Sequence, residues 1–206
     1  MNKIPKATAR RLVLYYRSLK HFKALGYSRI SSEELGEALQ IDSATIRRDF
    51  SYFGTLGKRG YGYDVLDLVE FFKTVLSQDQ LTEVAIVGVG HLGQALISYN
   101  FKRSNQIHIS VAFDNDPKKI GSQMHDVPIY SPEQIVSELT QRKITTVILT
   151  VPKEAAQDIT DRLADANVKG ILNFTTAHLN VPVWMNVQTV DLANELQTLI
   201  YYVNHH

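Results

Sequence analysis

Three glycines and one aspartate carry the strongest chemical signal in this chain. Gly88, Gly90 and Gly93 fall at GxGxxG spacing directly after the apolar run Val84 to Val87, and Asp114 ends a second β-rich run, His108 to Phe113. The first glycine of such a turn permits a sharp change of direction. The second admits a pyrophosphate against the backbone, and the third lets the next helix pack close to the strand. Open N–H groups at the helix start, with the helix dipole behind them, make an anion site. Val89, His91 and Leu92 complete this loop. A carboxylate at the tip of the second strand suits the hydroxyls of an adenosine ribose and repels a 2′-phosphate, so Asp114 predicts a preference for NADH over NADPH. Strand, glycine turn, helix, strand and acid is the context that a bare GxGxxG lacks. Two alternatives stay open: a glycine-tightened turn with no ligand, and a coenzyme A-type Rossmann domain.

The elements that position this loop belong to an α/β sheet. Val127 to Tyr130 reads as a short strand, and Ser131-Pro132-Glu133 caps a helix running to about Gln141. Thr145 to Val151 is a buried strand, Lys153 to Ala166 a helix and Gly170 to Phe174 a further strand. Strands alternating with helices predict a doubly wound parallel sheet. Ligands lie at the carboxyl ends of such strands, which adds Thr150, Val151 and Pro152, and Asn173, Phe174 and Thr175, to the expected rim. A last amphipathic helix spans Val190 to Val203, with Leu192, Leu196, Leu199, Ile200 and Val203 as its stripe.

The first third of the chain has a different character. Residues 1–63 carry 12 Lys and Arg against 5 Asp and Glu, a balance of +7, whereas the rest carry 10 against 16, a balance of −6. A basic segment joined to an acidic remainder predicts a nucleic-acid module attached to something else. Its first helix runs from about Lys6 to Ala24, with Leu12, Tyr15, Tyr16, Leu19 and Phe22 as a core stripe and the tyrosine hydroxyls expected at the rim. Ser31 and Glu34 form a capping-box signature for a second helix ending near Leu39. Ser43 is read as the N-cap of a third, Ala44 to Phe53, so the pair describes a helix-turn-helix. Ile46, Phe50 and Phe53 share its inward face. Ser43, Thr45, Arg47, Arg48, Ser51 and Tyr52 are left toward the outside, where arginines and hydroxyls reach guanine edges and phosphates. Gly57 to Tyr63 reads as a glycine-rich hairpin tip, a wing carrying Lys58, Arg59 and Tyr61. An amphipathic helix, Asp64 to Leu76, follows. Ser77 to Gln80 is the most linker-like stretch, which sets expected domains at 1–78, 79–188 and 189–206.

The chain has no cysteine, so disulfides, thiolate zinc sites and cysteine nucleophiles are excluded. His21, His91, His108, His125 and His178 have no metal-ligand spacing, and the pair His205-His206 could bind a metal but has no carboxylate nearby in sequence, so no metal is expected. No signal-peptide core and no span of about 20 apolar residues is found, and a cytoplasmic location with no membrane contact is expected. About 125 residues after the linker are consumed by the Rossmann unit, which leaves no substrate domain for a dehydrogenase. The two halves together predict a regulator that senses a dinucleotide and does not turn it over. A small NAD-dependent oxidoreductase and a coenzyme A- or nucleotide-responsive DNA-binding regulator remain as alternatives.

The stretches IPKATARRL, SSEELGEAL, DSATIRRDFSYFG, GKRGYGYDV, the glycine loop, AFDNDP, LTVP, ILNF and VDLANELQ resemble the Rex family of redox-sensing transcriptional repressors, across nearly the whole chain. The resemblance implies a winged-helix domain followed by a Rossmann domain, with a C-terminal helix swapped between the subunits of a homodimer. It implies binding to palindromic double-stranded operator DNA, and release by NADH with NAD⁺ competing poorly. By position, Arg11 resembles the family's interdomain arginine, Asp191 its partner in the C-terminal helix, and Tyr99 the tyrosine of the switch. His91 stands where Asn is frequent, and Leu192 where some relatives carry an aromatic.

Overall fold

A computed structural model describes residues 4–57, 60–78, 80–99 and 106–205. It divides into two compact units, residues 1–80 and 81–206. Lys58 and Arg59, the two wing cations, lie outside the described residues.

In the first unit α1 (Lys6–Ala24), β1 (Arg29–Ile30), α2 (Ser32–Leu39), α3 (Ser43–Ser51), β2 (Tyr63–Asp64) and α4 (Val65–Val75) surround one core. Leu12, Tyr15 and Leu19 of α1 meet Leu35 of α2, Ile46 and Phe50 of α3, and Val65, Leu68, Val69 and Phe72 of α4. Tyr15 and Phe50 pack edge to face at 5.4 Å between ring centroids, and Phe50 lies 5.4 Å from Phe72. Ser31 caps α2 in the expected capping box, its hydroxyl accepting from the Glu34 N–H while the Glu34 carboxylate accepts from the Ser31 N–H.

Three local expectations are corrected. The N-cap of α3 is Asp42, not Ser43: its Oδ1 accepts from the Ala44 and Thr45 N–H groups, two orphan donors where a serine hydroxyl ordinarily serves one. The helix therefore starts one residue early, at Ser43, and ends at Ser51. Asp64 is the cap of α4 and not its first turn, accepting from Leu66 and Asp67. Tyr63–Asp64 does not close a hairpin on its own tip. It pairs antiparallel with Arg29–Ile30, so the wing is tied to the strand ahead of α2.

The second unit is a seven-stranded sheet with order β5-β6-β4-β3-β7-β8-β9. Its strands are β3 (Thr82–Val87), β4 (Ile107–Phe113), β5 (Gln123–Met124), β6 (Val127–Tyr130), β7 (Thr146–Leu149), β8 (Gly170–Asn173) and β9 (Asn186–Thr189). Its helices are α5 (His91–Ser98), α6 (Ile135–Arg142), α7 (Ala156–Asp165) and α8 (Leu192–His205), with short 3₁₀ turns at Pro132–Gln134 and Lys153–Ala155. All pairings are parallel except β5 with β6. Without the β5 edge the order is that of the doubly wound dinucleotide-binding fold, with its reversal point between β3 and β7.

Side chains alternate across this sheet as the pleat requires, except at Ser110 of β4, where the β3–β4 register shifts by one residue and Ile109 and Val111 come to face opposite sides. Ala85 and Val87 of β3 join Val111, Phe113, Val147 and Leu149 under α6 and α7, while Val84 and Ile86 join Ile109, Ala112 and Ile148 under Ile97 of α5. A strand buried on both faces reads as a continuous apolar run, which is why β3 and β7 were visible in sequence. The edge strand β9 was not. Its residues Asn186, Gln188 and Thr189 are exposed, so no apolar period marks it. The C-terminal helix starts at Leu192 and not Val190, because Asp191 caps it by accepting from Ala193 and Asn194. Among the described residues of α8 none is buried, and Leu192, Leu196, Leu199, Ile200 and Val203 all stand exposed.

Candidate functional site

At the reversal point of the sheet the chain leaves β3 into Gly88-Val89-Gly90 and enters α5. Gly88 has φ +96°, and a Cβ there would lie 2.7 Å from the Thr150 carbonyl oxygen. A Cβ on Gly93 would lie 2.1 Å from the Gly88 carbonyl oxygen, so only glycine allows α5 to start this close to the strand. Gly90 is different. Nothing lies within 4 Å of where its Cβ would be, and the residue lines a cleft of about 560 Å³. A side chain there would project into that open space. The first intrahelical bond of α5 runs from the Gln94 N–H to the Gly90 carbonyl, so the N–H groups of His91, Leu92 and Gly93 face the open end of the helix.

Val89 is clamped from both sides. Its N–H donates to Asp114 Oδ2 at 2.6 Å, and its carbonyl accepts from Lys119 Nζ at 3.0 Å and from the Gln94 amide at 3.2 Å. With its side chain buried, Val89 shapes the loop and leaves the cleft to its neighbours. Asp114 is only 7% exposed and also accepts from the Asp116 N–H at 2.9 Å and from Lys119 at 3.3 Å. Thr150 donates to the Gly88 carbonyl at 2.7 Å and the Val87 carbonyl at 3.1 Å, fixing the loop against β7. Thr150, Val151 and Pro152 line the cleft. Asn173, Phe174 and Thr175 do not line it. Asn173 is fully buried and organises its own turn, accepting from the Thr175 N–H and hydroxyl and donating to the Ala177 carbonyl. Lys119, Asp116, Glu133 and Arg162 line the cleft without having been singled out in the sequence: the first three sit on turns that no apolar period marks, and Arg162 reads as a solvated charge on α7.

In the first unit, Arg47 and Arg48 are exposed on α3, Ser51 and Tyr52 are exposed at its end, and Ser43 and Thr45 are half-buried at its start. The Arg47 guanidinium is held at 3.0 Å by the Ser32 hydroxyl, 2.9 Å by the Glu33 carboxylate and 3.1 Å by the Ser43 hydroxyl. Among the described residues Arg48 makes no ion pair. Tyr61 is 72% exposed, and Arg29 reaches both its carbonyl, at 3.0 Å, and its ring face. Arg29 adds a cation to the wing that the sequence reading passed over.

Behind α3 lies a buried polar cluster. Asp49 is completely buried and accepts from Thr8 Oγ1 at 2.8 Å, Tyr15 Oη at 2.7 Å, and Arg11 Nε and Nη2 at 2.6 and 2.8 Å. Burial alone would raise its pKa, but the bonds from Arg11, Tyr15 and Thr8 outweigh it and hold the carboxyl below its ordinary value. The Tyr15 hydroxyl is thus buried, not at the rim, and burial followed by its bond to Asp49 pushes its pKa well up. The bond to Asp49 raises Arg11 further. Of the three residues that the family resemblance connects, Arg11 is engaged inside the first unit, Tyr99 caps the end of α5 with an exposed ring, and Asp191 caps α8.

A helix-turn-helix with an exposed arginine pair, on the same chain as a dinucleotide fold with a cradle at its reversal point, defines a class: ligand-responsive DNA-binding regulators. Comparison with known proteins supports both halves. A family model for a putative DNA-binding protein N-terminus matches residues 3–51, and one for a CoA binding domain matches residues 79–177. The chain is 57% identical over 202 residues to the redox-sensing transcriptional repressor Rex of Lactobacillus acidophilus, covering 98% of this chain and 96% of that one. It is 54% identical over 204 residues to Rex of Anoxybacillus flavithermus, covering 99% and 96%. Among solved structures, RSP in complex with β-NAD⁺ and operator DNA superposes with a TM-score of 0.92 at 33% identity, over 100% of this chain and 94% of that one. RSP in complex with β-NADH does so at 0.88 and 32%, over 100% and 96%. The chain belongs to the Rex family of redox-sensing transcriptional repressors. No helix among the described residues is long and apolar enough to cross a membrane.

Proposed function

We propose that this chain is an NADH-responsive repressor: its first unit holds operator DNA, and NADH bound in its second unit releases that hold. The observation that carries the reading is the Gly90 cradle at the sheet's reversal point, in a chain whose first 80 residues form a helix-turn-helix unit. The open N–H groups of His91 and Leu92 would receive the pyrophosphate, Asp114 the adenosine ribose, and Thr150 and Pro152 the cleft wall beside it. The cofactor supplies a difference of one charge and of ring planarity at the nicotinamide, and the residues of the chain must convert it into a change of shape.

Arg47, Arg48, Ser43, Thr45, Ser51 and Tyr52, with Arg29, Lys58, Arg59 and Tyr61 of the wing, are the groups we assign to DNA. The exposed stripe of α8 supports a homodimer in which that helix is covered by the other subunit. Within the dimer, Asp191 of the partner subunit would sit beside the nicotinamide, with Arg11 and Tyr99 as alternative partners for its carboxylate. Arg11 is bonded to Asp49 in this structure. Any pairing with a second carboxylate therefore competes with a bidentate bond to a buried one.

A palindromic DNA fragment selected by the protein from random sequence, titrated with NADH, NAD⁺, NADPH and coenzyme A, tests the reading. NADH is expected to release the DNA at the lowest concentration, with NAD⁺ and NADPH much weaker. Release by coenzyme A and not by NADH would overturn the assignment in favour of a coenzyme A-responsive regulator. In the Asp191→Ala variant, NADH binding is expected to persist while release fails. Release at the wild-type NADH concentration would remove Asp191 from the switch.

A further inference from the structure

Asp114 does not meet the cleft alone. Lys119, on the turn after β4, lies on the same wall with Nζ 3.3 Å from Asp114 Oδ2 and 4.0 Å from Asp116 Oδ2. The lysine side chain is 30% exposed and the Asp114 side chain only 7%, so the ammonium is the more accessible of the two charges. Among the described residues, Asp114 Oδ2 already accepts from the Val89 N–H and from Lys119, and Oδ1 accepts from the Asp116 N–H. A carboxylate oxygen accepts about two hydrogen bonds, which leaves Asp114 room for about one more donor. A ribose diol brings two hydroxyls, each able to donate and to accept. One can donate to Asp114 Oδ1. The other is matched by the Lys119 ammonium as donor.

Building on the nucleotide assignment above, we propose that Lys119 is a second specificity-determining residue for the cofactor's adenosine ribose: it bonds one ribose hydroxyl and, with Asp114, sets how strongly a phosphate on that ribose is rejected. The carboxylate repels such a phosphate and the ammonium attracts it. Selectivity for the unphosphorylated cofactor is then a difference between two opposed charge interactions across a few ångströms in a partly shielded cleft. Removing the cation leaves the repulsion unopposed. Removing the anion leaves the attraction. The same lysine clamps the Val89 carbonyl, a structural duty that acts on any nucleotide alike.

Calorimetric titration of the full chain with NADH and with NADPH separates the two duties. Lys119→Gln keeps a donor and removes the charge. It is expected to weaken NADH only a few-fold while widening the NADH-over-NADPH preference by about tenfold. Asp114→Asn is expected to narrow that preference, and Lys119→Arg, which keeps the charge, to hold it near the wild-type ratio. If Lys119→Gln weakens both nucleotides by one factor and leaves their ratio unchanged, the lysine is only a clamp and the proposal falls. Wild-type protein that binds neither nucleotide overturns the nucleotide assignment itself, and the proposal with it.

Discussion

Asp49 and Asp114 are buried carboxylates, one in each unit, and each has a cation beside it, yet they are built into opposite situations. Asp49 is enclosed by four donor contacts from three side chains of α1, so its bonding capacity is spent joining α1 to α3. Asp114 takes two backbone N–H groups and one ammonium, and its surroundings open on a cleft. A carboxylate saturated inside a core sets the position of helices. One with acceptor capacity left on a cleft wall can recognise a ligand. Charge and burial are alike in the two; the number of internal donors separates them.

The largest effect is expected from the saturated site. Asp49→Ala leaves Arg11 half-buried without its counterion and should cost the first unit about 3–5 kcal/mol, read as a lower urea midpoint. The depressed pKa of Asp49 gives this contribution a pH signature. Its stabilisation is complete above the ordinary carboxyl value, near ~3.9, and is lost as pH falls through the lower folded value. The wild-type unit should therefore weaken steeply below about pH 4, and Asp49→Asn should flatten that limb. If Asp114→Asn destabilises its unit as much as Asp49→Asn does, the contrast between the two aspartates is broken.

Next in size are the glycines around Asp114. Gly93→Ala drives a Cβ against the Gly88 carbonyl and should lower stability by about 1–3 kcal/mol along with nucleotide affinity. Gly90→Ala meets nothing and has an ordinary φ of −74°, so stability should stay within ~0.5 kcal/mol while nucleotide affinity falls at least about tenfold. Loss of stability in Gly90→Ala, seen by thermal melting, would mean the cradle is structural. An effect of the same order, on DNA binding and not on stability, is expected in the first unit. Arg48→Ala, or Arg47→Ala, should cost about 1–3 kcal/mol with the selected operator if that arginine reads a base, and only shallow the salt dependence if it contacts phosphate. Asp42→Ala is the smallest, about 1 kcal/mol through loss of the α3 cap.

Much of this architecture was legible because it repeats locally. The doubly buried strands β3 and β7 announce themselves as apolar runs, Gly88 to Gly93 by spacing, and α2 by its capping box. Asp49 was not legible. In the run Arg47-Arg48-Asp49-Phe50 it reads as a solvated charge on a helix, and only the packing of α1 against α3 turns it inward. Lys119 was missed for the same reason, since its meeting with Asp114 depends on how the connector after β4 folds back. The choice of Asp42 over Ser43 as cap lay between two adjacent good cap formers. The two-residue β5 and the exposed β9 carry too little apolar pattern to be seen.

The Arg47–Glu33 pair has a consequence in the thermodynamics of ions. An arginine that meets DNA from solution brings about one phosphate's worth of condensed counterion release, which steepens the dependence of binding on salt. Arg47 already has a counterion of its own, the Glu33 carboxylate at 2.9 Å, fixed to the protein and unable to diffuse away. If Arg47 turns to a phosphate, Glu33 is left beside the DNA as an added negative charge, and part of the entropy gained by freeing cations is returned by recruiting one to the carboxylate. With Arg47 on a phosphate, Glu33 would work as a tethered salt: it would lower the grip on DNA of any sequence and make that grip less sensitive to the ionic strength of the surroundings.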